Sequence, residues 1–138
     1  MRKYLFLIFV FIFVSLLVAC GGSSGSASTD DFLKVMEDEG YVFEQRDEDS
    51  REYYQANSVN TAYDLNLDVT DLYVGYVNTS ERWGEVVVFK TDAQAESYRS
   101  ALVQDVNKEG LMVVIDGNIL LLTYSSETAT LFNETKSN

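Results

Sequence analysis

Val113-Val114-Ile115-Asp116-Gly117-Asn118-Ile119-Leu120-Leu121-Leu122 decides the fold class. Two apolar runs flank Asp116-Gly117, a strong signal for a two-residue hairpin, because a type I′ turn needs positive φ at both central positions. Upstream, Leu72–Val77 and Glu85–Phe89 read as a second hairpin, joined through a loop of residues 78–84 that carries Trp83. Val86-Val87-Val88-Phe89 is apolar on both faces of a strand, which places it centrally in the sheet.

Helices are read around these strands. Ser28-Thr29-Asp30-Asp31 offers side-chain oxygens for an N-cap, and Phe32, Val35 and Met36 follow at helical spacing. Gly40 at C′ would end that helix, with Tyr41 at C″ against Met36 at C3, as in a Schellman motif. Thr91-Asp92-Ala93-Gln94 fits a capping box. Ala95, Tyr98, Leu102 and Val106 then form an apolar stripe, and Gly110 is read as the stop. Both helices lead directly into an apolar run, a weak repeat of helix, glycine and strand. Residues 50–64 permit a short helix through Tyr53, Tyr54 and Ala56, and Ser126–Phe132 a closing helical turn. The expected fold is α+β, a small mixed or antiparallel sheet with helices packed on one face, in the order α-β-(α)-β-β-α-β-β.

The chemistry is bounded by what the chain lacks. Its 138 residues contain no His and one Cys. A Ser–His or Cys–His pair has no base, no intrachain disulfide can form, and the sequence implies neither a metal centre nor a cofactor. Asp64-x-Asn66-x-Asp68 has the start of a calcium loop, but Val69 and Gly75 stand where an EF-hand needs Gly and Glu, so turn chemistry is the better reading. No phosphate loop, dinucleotide fingerprint or nucleophile elbow is present.

The formal charge is −12, and residues 30–52 hold ten Asp or Glu against three Lys or Arg. Such a surface disfavours nucleic acid and attracts a basic protein or other basic envelope component. The acidic run Asp47-Glu48-Asp49 reads as a solvated loop after a strand. With Trp83, an aromatic in a predicted loop, these three acids are the candidate partner-binding residues. Tyr73 and Tyr76 fall on opposite faces of their strand.

The N-terminus carries a different message. Arg2 and Lys3 precede sixteen residues, Tyr4–Ala19, that are apolar or aromatic except for Ser15. That run is short of the roughly 20 residues of a spanning helix and fits a secretory signal. It ends Leu17-Val18-Ala19-Cys20, followed by Gly21-Gly22. This resembles the lipobox of bacterial lipoproteins. The resemblance covers only the first 20 residues. It implies a diacylglyceryl group on the Cys20 sulfur, cleavage before Cys20, and a chain held on the outer side of the cell membrane, or on an outer membrane, by lipid. Two or more acyl chains anchor stably, whereas one is marginal. Cleavage removes Arg2 and Lys3 and no acid, so Lys plus Arg falls from 10 to 8 against 22 Asp plus Glu, giving −14.

The expected organisation is a signal peptide over 1–19, the lipidated Cys20 with a Gly/Ser linker to 29, one globular domain over 30–133 and a polar tail over 134–138. The linker reaches only about 15–18 Å, which keeps the domain near the bilayer. Two functions compete: a small acidic, non-enzymatic binding or accessory module of the cell envelope, and a carboxylate-dependent envelope hydrolase. The hydrolase needs two acids facing across a cleft.

Overall fold

The computed structural model describes residues 29–136, apart from positions 39 and 78. The expected signal segment, Cys20 and residues 21–28 of the expected linker lie outside the described residues.

Helix α1 (Thr29–Asp38) ends as its sequence predicts. Gly40 has φ +90°, its N–H donates to the Glu37 carbonyl at 2.9 Å, and the Tyr41 N–H donates to the Met36 carbonyl at 3.1 Å. These are the two bonds of the Schellman motif. Strand β1 (Val42–Gln45) leads into α2 (Glu48–Tyr54), which runs on as a π-helical segment over Gln55–Thr61. Strands β2 (Val69–Val77) and β3 (Thr79–Phe89) form the long hairpin. Helix α3 (Asp92–Gln104), strands β4 (Met112–Asp116) and β5 (Ile119–Thr123), and helix α4 (Ser126–Lys136) complete the chain. The fold is α+β, and its order follows the expected one.

All neighbours in the five-stranded sheet are antiparallel, in the order β1-β2-β3-β5-β4, with β3 central. The helices divide between the two faces, which corrects the expectation of one. On β3, Val86 and Val88 alternate with Val87 and Phe89; on β5, Ile119 and Leu121 alternate with Leu120 and Leu122. All eight are buried. A strand apolar on both faces needs cover on both. Phe32, Met36, Ala129 and Phe132 of α1 and α4 cover the first face, where the Phe32 and Phe132 rings stack at 4.2 Å. Ala95, Tyr98 and Leu102 of α3, with Val59 of the π-helical segment, cover the second.

Three local readings change. The β2–β3 connection is tight, with Val77 paired to Thr79, so Trp83 and Gly84 lie in a strand and not in a loop. Helix α3 stops at Gln104, because the Asp105 carboxylate accepts from the Asn107 N–H at 2.9 Å and starts a 3₁₀ turn over Val106–Lys108. Val106 is consequently exposed instead of extending the buried stripe. Gly110 does not cap the helix. At φ +82° it is the third residue of a turn closed by Leu111 N–H to the Lys108 carbonyl at 3.0 Å. With Glu109 at φ −53° and ψ 129°, this is the type II geometry that needs positive φ there. In the β4–β5 hairpin Asp116 pairs with Ile119, so the central residues are Gly117 and Asn118 and only Gly117 has positive φ. That pattern belongs to type II′ and not to I′.

Candidate functional site

The second face is incompletely covered. Beyond the buried part of α3 a pocket of about 430 Å³ opens. Four pieces of chain build it. Trp83 and Glu85 come from β3, Leu122 and Tyr124 from β5 and the residue after it, Tyr98 and Leu102 from α3, and Tyr54, Ser58 and Tyr63 from the α2–π-helical segment. Asp105, Lys108 and Leu111 close one side.

Strand phase explains why an acid points here. Trp83, Glu85, Val87 and Phe89 alternate onto one face. Val87 and Phe89 are core, so Glu85 stands where an apolar residue is expected. It is half-buried, and its Oε1 accepts from the Tyr54 hydroxyl at 2.5 Å. The Tyr54 and Tyr98 hydroxyl oxygens are 3.3 Å apart. The π-helical segment that follows Tyr54 is tied to the chain entering β2 at two points. Gln55 Oε1 accepts from the Val69 N–H at 2.7 Å, and the Asn60 amide bonds both the N–H and the carbonyl of Leu67. Single-turn widenings of this kind recur at functional sites.

A second carboxylate lines the pocket. Asp105 Oδ2 accepts from the Tyr63 hydroxyl at 2.9 Å, while Oδ1 accepts from the Asn107 N–H and side-chain amide. The two acids diverge in acidity. Burial pushes the Glu85 carboxyl above its ordinary value, against the pull of the Tyr54 hydroxyl and of Lys108 and Arg46. The Asn107 backbone bond, then the Tyr63 hydroxyl, hold Asp105 below its own. Burial and the Glu85 charge raise Tyr54 well above the usual phenol value, and burial first of all raises Tyr98, to about 12.

Of the four candidate partner-binding residues singled out by sequence, only Trp83 belongs to the pocket. Its ring lies 6.3 Å from that of Tyr124, and its carbonyl accepts from the buried Thr123 hydroxyl. Asp47, Glu48 and Asp49 lie apart from the lining. Their run is a helix start and not a loop. Asp47 is the N-cap of α2 and accepts from the Ser50 N–H at 2.9 Å, and Glu48 pairs with Arg51 at 3.8 Å. Acids in a first turn complement the helix dipole. Asp64 takes a left-handed φ of 54°, and Asp68 is engaged by Lys90 and Gln94, so Gln94 completes only half of its predicted box. The sequence signal that points to Glu85 is its phase with Trp83, Val87 and Phe89. Tyr54, Tyr63 and Asp105 carry no comparable signal, because their meeting depends on tertiary packing.

Next to the pocket lies a row of side chains that the helices leave uncovered. The register pairs Val42 with Tyr76 and Tyr76 with Trp83, and Tyr124 follows through its ring contact. Val42, Tyr76 and Tyr124 are each at least half exposed. No protein-family model matches the chain, and no curated protein or solved structure matches it either.

Proposed function

We propose that the chain is a membrane-anchored envelope lipoprotein whose domain binds a small ligand in the pocket of Trp83 and Glu85. The observation that carries the reading is the pocket itself: four tyrosines and a tryptophan around two carboxylates, in a volume typical of small-molecule sites. The lipobox-like end at Cys20 supplies the anchor, and the acidic residues Asp47, Glu48 and Asp49 would draw a basic partner toward the domain. Trp83 is the chain's only tryptophan, so its fluorescence reports on the site. The small-molecule fraction of native envelopes should change that fluorescence saturably; a strictly linear response removes the reading. Cys20→Ser should abolish incorporation of a tagged fatty acid, and continued labelling removes the anchor.

A second reading, the carboxylate-dependent hydrolase, is favoured by one observation: Glu85 and Asp105 have their acidities pushed apart, as acid–base pairs do. Against it, Asp105 already accepts three hydrogen bonds, from Tyr63 and Asn107, and these lower its basicity. Turnover of an envelope component that is lost in Asp105→Asn would favour the hydrolase over the binder.

A further inference from the structure

Resting on the pocket reading, we propose that the occupant is a small organic ammonium, its charged head paired by Glu85 and its apolar part lying on Trp83 and Tyr124.

Hydrogen-bond polarity comes first. Tyr54 spends its one proton on Glu85, and Tyr63 spends its own on Asp105. Towards the pocket these hydroxyls present lone pairs, and so do the carboxylates, each of which offers about four acceptor positions. Lys108 is the single cationic donor in the lining. The two carboxylates, facing one Lys, suit a ligand with donors or positive charge better than an anion.

Charge comes second. Among the described residues no Lys or Arg lies within ion-pair distance of Glu85, whose hydrogen-bond partner is a neutral phenol. A half-buried carboxylate without a counter-ion carries an uncompensated desolvation cost, which a bound cation offsets. Burial outweighs the pull of Lys108 and Arg46 on its acidity, in keeping with that deficit.

The rings come third. Trp83 and Tyr124, 6.3 Å apart, and the edge-on pair Tyr63 and Tyr98 line the same pocket as the acid. Aromatic faces around a carboxylate attract ammonium groups through the ring quadrupole, with Trp the strongest. The uncovered row of Trp83, Tyr76 and Val42 continues outward and gives an apolar body somewhere to lie.

The test uses the full chain in a polyoxyethylene detergent, read by Trp83 fluorescence. The probes are choline, its uncharged isostere 3,3-dimethylbutan-1-ol, N-acetylglucosamine and cyclohexanol. Choline should give a saturable response, with the uncharged isostere at least tenfold weaker. Glu85→Gln keeps the acceptor for Tyr54 and loses the charge; it should weaken choline at least tenfold without lowering the denaturation midpoint. Tyr124→Ala should weaken choline severalfold. Equal binding of the isostere, or unchanged choline binding in Glu85→Gln, overturns the ammonium assignment and leaves the pocket reading standing, as does a response to a neutral probe alone. If none of the four probes responds, the ammonium assignment fails, and the envelope-fraction experiment decides the pocket reading separately.

Discussion

The two faces of the sheet share the central strands β3 and β5 and end differently. Under α1 and α4, Phe32, Phe132, Met36 and Leu121 are almost fully buried, and the polar groups that enter satisfy each other, as the Tyr41 and Thr128 hydroxyls do. Under α3, the core of Val59, Phe89 and Leu120 is as closely buried, but it gives way to two carboxylates, four phenols and an indole around open space. One face maximises burial. The other gives up burial for hydrogen-bonded polar groups around an opening. A domain that needed only to fold would gain from closing both.

The largest test of this contrast pairs one ring from each face. Phe132→Ala should cost about 3–5 kcal/mol, because it opens a cavity against Phe32 in a closed core. Tyr124→Ala, at the exposed rim of the pocket, should stay within about 0.5 kcal/mol. Denaturant midpoints of comparable size would erase the distinction between the faces.

The closed face also leaves no room for added volume. A Cβ on Gly75 would stand 2.6–2.8 Å from the ring atoms of its cross-strand partner Phe43. Gly75→Ala should therefore cost about 1–3 kcal/mol by overpacking. An unchanged midpoint would mean that this face is looser than the packing of Phe43 implies.

Gly110→Val lies in the loop between Lys108 and Leu111, both of which line the open face. A β-branched residue resists the φ of +82°, so more than about 1 kcal/mol should be lost. Stability equal to wild type would show that the type II turn readily rearranges.

The smallest effect has an unusual sign. Because the Glu85 carboxyl is held above its ordinary value, its protonated form favours folding. That contribution is fully present below the ordinary glutamate value and is lost as pH rises through the raised one. Asp105 acts in the opposite sense: its stabilisation is present above the ordinary aspartate value and is lost as pH falls through its lowered one. Glu85→Gln stays neutral, so it should equal or exceed wild type in stability at pH 7 and lose its advantage in acid. Parallel stability–pH curves for the two proteins would show that the open face pays nothing for its carboxylate.

Much of the fold was legible in the sequence because local rules and tertiary needs agreed. Gly40 after Met36, the central apolar run Val86–Phe89 and the turn glycine Gly117 each signalled what they do. The one-face expectation failed although its contrary was already written in Val86–Phe89: a strand buried on both sides implies helices on both. Trp83 was singled out for the wrong reason, as a loop aromatic. The length of β3, and with it the phase that aligns Trp83 with Glu85, depends on pairing with β2. Asp105 was invisible as a site residue because its partner Tyr63 lies 42 positions away. The acidic run was legible as charge, but its capping role required knowing that a helix begins at Glu48.

The outermost strands carry a consequence for crowding. Strands β1 and β4 bound the sheet and are four and five residues long. At the free rim of β1 stand Glu44 and, just beyond it, Arg46, paired at 3.5 Å and well exposed. Short, charged borders are poor templates for another chain. If the proposed anchor at Cys20 crowds copies on a membrane surface, these borders let them collide without stitching their sheets together.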